Sequence, residues 1–131
     1  MKTICDTHAL LYDFTSPKEL SRAAAQAIQV AEAQGELACA DISLWEIGML
    51  AEKGRIPLPA PLEEFIDTLL LARAIEVLPI TPAIAAAATS CRVPVRDPSD
   101  RLIAATAIVH GATLITRDRR LTGIPGLPTV W

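Results

Sequence analysis

The chain has 131 residues, near the usual size of one domain, and 51% of them are hydrophobic against 21% charged, which excludes a disordered segment. Its formal net charge of −3 argues against a protein that grips nucleic acid through overall basicity, while an enzyme that holds cations in an acidic pocket tolerates such a balance. Aromatic residues are only 4%, so the core must be built from Ala, Leu, Ile and Val, as when helices lie close against a sheet.

Thr3-Ile4-Cys5 predicts a short first strand, followed at once by Asp6. From Pro17 to Gly35 the spacing of Leu20, Ala23, Ala24, Ala27, Ile28 and Ala31 predicts a helix, opened by Ser16, Pro17 and Glu19 and closed by Gly35. Leu37 to Ala40 predicts a buried strand, and Ser43 to Lys53 a second helix stopped by Gly54. A Pro-rich linker from Pro57 to Pro61 precedes a third helix, Leu62 to Ala74, with Leu62, Phe65, Ile66, Leu69 and Leu70 on its apolar face. Val77 to Ile80 predicts a strand that Pro79 confines to an edge. Thr81 and Pro82 begin an Ala-rich helix ending near Cys91, and a further helix runs from Ser99 to His110. Ala112 to Thr116 is the clearest strand, and Pro128 to Trp131 adds a short last one. Helices between most strands imply parallel pairing, hence a single three-layer α/β domain over residues 1–131.

Cys5, Cys39 and Cys91 lack metal-ligand spacing, and the first two, lying in strand-like runs, read as small buried hydrophobes. No charge-free run approaches the roughly 18 residues of a membrane span, and Lys2 to Asp13 does not resemble a signal peptide, so the expected location is the cytoplasm.

In an open parallel sheet, ligands gather beyond the carboxyl ends of the strands. Asp6 and Asp118 follow strands, while Glu46 and Asp100 are expected in the first turns of helices, so all four acids can converge on one sheet edge. Carboxylates so grouped suit hard cations such as Mg²⁺ or Mn²⁺. Each also has an ordinary explanation. Ser43-x-x-Glu46 reads as a capping box, Asp97-Pro98-Ser99-Asp100 as a capped helix start, and Asp6 and Asp118 as turn caps. Spacing by itself leaves both readings open.

Five blocks in order resemble the successive signatures of PIN-domain toxins, and most closely the VapC branch of bacterial toxin–antitoxin systems. They are Asp6-Thr7-His8-Ala9-Leu10-Leu11, Ile42-Ser43-Leu44-Trp45-Glu46-Ile47, Lys53-Gly54-Arg55-Ile56, Arg96-Asp97-Pro98-Ser99-Asp100-Arg101-Leu102-Ile103-Ala104-Ala105 and Leu114-Ile115-Thr116-Arg117-Asp118. The resemblance covers almost the whole chain. It implies a PIN-like parallel sheet wrapped by helices, a Mg²⁺- or Mn²⁺-dependent endoribonuclease that usually forms a homodimer, and a small antitoxin docking over the active site. The family's catalytic, metal-binding acids fall on Asp6, Glu46, Asp100 and Asp118. Relatives often carry a bulky aromatic where Ser99 stands and His residues where this chain has Cys91-Arg92-Val93-Pro94, departures that bear on substrate shape and partner contacts.

The chemistry expected is metal-assisted hydrolysis of an RNA phosphodiester, with a cation on Asp6, Asp100 and Asp118 and with Glu46 binding it or positioning the nucleophile. Thr7 and Thr116 are candidates to orient those carboxylates. Lys53, Arg55, Arg96, Arg101, Arg117 and Arg119, with Arg120, are candidates for a rim that holds phosphates, against a plain role as surface charge or, for Arg101, as a structural pair. So few aromatics predict that base stacking does not dominate recognition. Two other classes stay open: a non-catalytic interaction module on the same fold, and a metal-dependent DNA nuclease or phosphatase.

Overall fold

A computed structural model describes residues 1–90 and 92–131. Its centre is a five-stranded parallel sheet in the order β3-β2-β1-β4-β5, formed by β1 (Thr3–Cys5), β2 (Leu37–Ala40), β3 (Glu76–Leu78), β4 (Thr113–Ile115) and β5 (Thr129–Val130). Parallel neighbours need crossovers. Three of the four here are helical: α1 (Thr7–Thr15) and α2 (Arg22–Ala33) lead to β2, α3 (Ile42–Glu52) and α4 (Leu62–Ala72) to β3, and α5 (Pro82–Ala88) and α6 (Pro98–Val109) to β4. Gly35 and Gly111 take φ of +68° and +60°, the left-handed turn that stops α2 and α6 and sends the chain into β2 and β4.

Alternation along the strands builds two cores. Ile4, Ala38 and Leu114 face one side, where α6 packs through Ala104 and Ala107, both fully buried and small enough to let the helix approach closely. Cys5, Cys39 and Ile115 face the other, beneath Leu10, Ile28, Ile47, Phe65 and Leu69 from α1 to α4. Burial pushes both thiols up, that of Cys39 to about 12, so they behave as the small hydrophobes expected of them. Among the described residues no helix is long and apolar enough to cross a membrane.

Four boundaries differ from the sequence expectation. The helix α1 was unexpected. It starts directly after Asp6, whose carboxylate caps it by accepting from Ala9 N–H at 2.8 Å. The helix expected from Pro17 begins instead at Arg22, capped by Ser21 at 3.0 Å; Ser16 makes no side-chain cap, and Pro17–Glu19 is a 3₁₀ turn ended by the extended Leu20. The Ser43–Glu46 pair is not a capping box, because α3 already starts at Ile42 and carries Glu46 in its second turn. The third helix stops at Ala72, short of Ala74, which has φ +51°. Edge placement of β3 and the Asp97 cap of α6 are as expected, and the expected helix end near Cys91 falls outside the described residues.

Away from the strand ends, Arg73 at the end of α4 donates to Asp13 of α1 at 2.6 Å and to Glu32 of α2 at 3.1 Å. The Asp13 side chain is only 10% exposed, so its charge depends on this partner. Arg73→Ala should lower the unfolding free energy by about 2–3 kcal/mol, the cost of stranding a buried carboxylate. A urea midpoint unchanged from wild type would show that the triad contributes nothing.

Candidate active site

The register aligns the ends of the central strands: Cys5 lies opposite both Cys39 and Ile115. Past that point the ladder continues by one bond, Asp6 N–H donating to the Ile115 carbonyl at 3.0 Å. Asp6 and Thr116 therefore leave adjacent strands side by side. Thr116 Oγ1 accepts from Asp118 N–H at 3.0 Å, and the same hydroxyl is near enough to the Asp6 carboxylate to draw its pKa down. Asp100 arrives from the first turn of α6, where the side chain of Asp97 accepts its N–H at 3.1 Å.

Glu46 comes from α3 and is held by Thr7. The Thr7 hydroxyl bonds Glu46 Oε1 and lies 3.0 Å from Ser43 Oγ. A carboxylate only accepts, so Thr7 donates to Glu46 and receives the proton of Ser43, which is fully buried. The pair that resembles a capping box thus orients a carboxylate towards a neighbouring helix.

Asp6, Glu46, Asp100 and Asp118 all line one cleft of about 610 Å³. Burial raises the pKa of Asp6, offset in part by the Thr116 and Ala9 hydrogen bonds. The carboxyl of Asp100 is pushed to about 6, first by burial and then by Asp97, with Asp118 and Glu46 adding to the push and Arg120 opposing it. Asp118 is held below the usual range because Arg120 hydrogen-bonds it. That guanidinium donates to Asp118 Oδ2 at 2.6 Å and to Asp100 Oδ2 at 3.0 Å. Among the described residues no three His, Cys, Asp or Glu side chains are drawn together tightly enough to share an ion, and Arg120 stands between two of those that line the cleft.

Of the basic residues singled out in the sequence, Lys53, Arg55, Arg117 and Arg120 line the cleft. Arg96, Arg101 and Arg119 do not. Arg101 instead donates to the carbonyls of Ala88 at 2.7 Å and Val95 at 2.8 Å, locking the segment before α6, so its role is structural. Arg96 and Arg119 lie exposed elsewhere. Despite the low aromatic content, three of the chain's five aromatics, Tyr12, Trp45 and Trp131, line the cleft. Arg117 lies 5.0 Å from the Tyr12 ring centre and 5.7 Å from that of Trp131, and donates to the Tyr12 hydroxyl at 2.6 Å. Trp45, 58% exposed, neighbours Glu46 on α3. A count over the whole chain hides such clustering; the adjacency of Trp45 to a candidate acid was the one local signal.

The PIN domain family profile matches residues 3–127. Ribonuclease VapC22 of Mycobacterium tuberculosis is 42% identical over 131 residues, covering 98% of this chain and 97% of that protein. Among solved structures, VapBC2 of Rickettsia felis bound to a promoter DNA fragment matches with a TM-score of 0.76 at 19% identity, over 99% of this chain and 98% of the matched chain. DNA-bound VapBC of Salmonella typhimurium matches with a TM-score of 0.71 at 22% identity, over 99% and 97% of the two chains. These two likenesses establish the α/β fold expected from the sequence.

The raised pKa of Asp100 has a stability consequence in metal-free protein. Its folded value of about 6 exceeds the ordinary 3.8, so the share of stability held by the protonated acid is whole below pH 4 and lost as pH rises through 6. In EDTA at pH 7, Asp100→Asn should therefore be more stable than wild type by about 1 kcal/mol after solvent screening, with the difference vanishing near pH 4. Urea titrations at both pH values measure it; a variant no more stable than wild type at pH 7 would contradict the cost of keeping Asp100 charged in this cleft.

Proposed function

The chain belongs to the PIN-domain family, and we propose that it is a VapC-type toxin, a Mg²⁺- or Mn²⁺-dependent endoribonuclease that hydrolyses RNA phosphodiester bonds and is restrained by a small antitoxin. The observation that carries this reading is the cleft, where Asp6, Glu46, Asp100 and Asp118 face one space rimmed by Lys53, Arg55, Arg117 and Arg120. The choice of RNA is supported by the 42%-identical relative that is named a ribonuclease.

In its chemistry the donor set fits a hard dication, although its acids would have to draw closer to share one. It is all carboxylate oxygen, two of its acids have raised pKa values that a cation would offset, and a guanidinium already leans on two members. Asp6, Asp100 and Asp118 would hold the ion, with Glu46 beside them. Bound there, it supplies Lewis acidity towards phosphoryl oxygens and lowers the pKa of a water. The chain's own groups do the positioning. The Ala9 N–H fixes Asp6, Thr116 holds the Asp118 backbone, and Thr7, backed by Ser43, fixes Glu46. Lys53, Arg55 and Arg117 attract the phosphates that the acids alone would repel. Tyr12, Trp45 and Trp131 offer apolar faces to the bases on either side of the bond.

An antitoxin that inserts a basic side chain into the acid cluster is supported by the same charge excess. Self-association through α4 is supported by Leu71, 80% exposed beside the buried Leu69.

Purified protein should cleave a mixed RNA pool with Mn²⁺ or Mg²⁺ present, and Asp6→Asn should slow cleavage by roughly 100-fold or more. Equal rates from both proteins would assign the activity to a contaminant and leave a binding module, while cleavage confined to DNA would favour a DNA nuclease. Co-expression with a small antitoxin encoded beside it should yield a stable complex with suppressed cleavage. If no such product binds, the toxin assignment fails while the nuclease stands.

A further inference from the structure

We propose that Arg120 is a built-in counter-cation that sets the affinity of the acid cluster for its metal, because a divalent ion must displace this guanidinium to reach Asp118 and Asp100. The inference rests on the metal-site reading above. Arg120 Nε lies 3.1 Å from each Asp118 oxygen, and Nη2 reaches Asp118 Oδ2 at 2.6 Å and Asp100 Oδ2 at 3.0 Å. These are the oxygen atoms a cation would need. The guanidinium takes them in a planar fork, the strongest way a carboxylate pairs with a side chain.

The contact is ill suited to a structural role. The Arg120 side chain is 64% exposed, whereas Arg73, which joins three helices, is 32% exposed and faces an Asp13 at 10%. An exposed pair adds little to folding stability. Its effect is on occupancy: it screens two crowded acids and occupies their lone pairs. The exchange needs little rearrangement. The Arg120 backbone N–H donates separately to Asp118 Oδ1 at 2.9 Å, so the turn has an anchor of its own while the side chain swings out through its rotamers.

The test measures Mn²⁺ binding to the full-length protein by isothermal titration calorimetry at fixed ionic strength, comparing wild type with Arg120→Ala and Arg120→Lys, with circular dichroism as a check on folding. Arg120→Ala should bind Mn²⁺ about three- to tenfold more tightly, the gain from removing a partly exposed forked ion pair. Arg120→Lys, which keeps the charge and loses the fork, should fall between the two, and it carries the test should the alanine variant misfold. Affinity unchanged or weakened in the variants would overturn the proposal while leaving the metal site intact. A wild type and variants that all fail to bind Mn²⁺ would overturn the proposal and the metal-site reading together.

Discussion

Four carboxylates at one sheet edge repel one another, and much of the surrounding structure can be understood as what holds them there. Each acid has its own device. Asp6 caps α1, Asp118 N–H is held by Thr116, Glu46 leans on Thr7, and Asp100 lies in the first turn of α6 with its N–H taken by Asp97. None of these devices removes the cost of keeping the acids charged, which the raised pKa values of Asp6 and Asp100 register, burial first and the neighbouring acids after it. Arg120 relieves part of it. Such an unresolved conflict supports the proposed cation site, since binding is strongest where the empty state is uncomfortable.

Charge is also segregated on a small scale. The net charge of −3 conceals a cleft in which acids form the floor and Lys53, Arg55 and Arg117 the rim. Floor and rim act on different parts of one substrate. In the proposed reading the floor would address an ion and the reacting phosphate, and the rim the flanking phosphates of a polyanion. Overall charge therefore said little about the ligand.

The sheet and the acids were largely legible because both depend on short local patterns: apolar runs ending in Asp6 and Thr116, and Asp97-Pro98-Ser99-Asp100 at a helix start. Helix boundaries were less so. Ser16-Pro17-x-Glu19 has the form of a helix start, yet Leu20 is extended and the turn goes no further. Ser43 and Glu46 have capping-box spacing, but the same three-residue step also brings two side chains to one face inside a helix, which is what occurs. For the arginines, proximity to an acid in sequence does not determine direction. Arg101 follows Asp100 by one residue, about 100° around the helix, and so points at the Ala88 and Val95 carbonyls, whereas Arg120 is turned back upon Asp118. Only the three-dimensional course of the chain separates a clamp from a counter-ion.

The distance between Asp6 and Thr116 is set by adjacent strands rather than by the loops that join them. Because Cys5 pairs with Ile115 and Asp6 N–H bonds the Ile115 carbonyl, that spacing is a property of the sheet ladder. Helices and linkers elsewhere, such as the segment from Pro57 to Pro61, can lengthen or shorten without carrying these two residues apart. A single residue inserted between Ile4 and Asp6 is a different matter, since it would turn every later side chain on that strand to the opposite face. The domain is thus rigid in length over a few residues at its centre and permissive around its periphery, an arrangement that lets loops diversify around an unchanging pair.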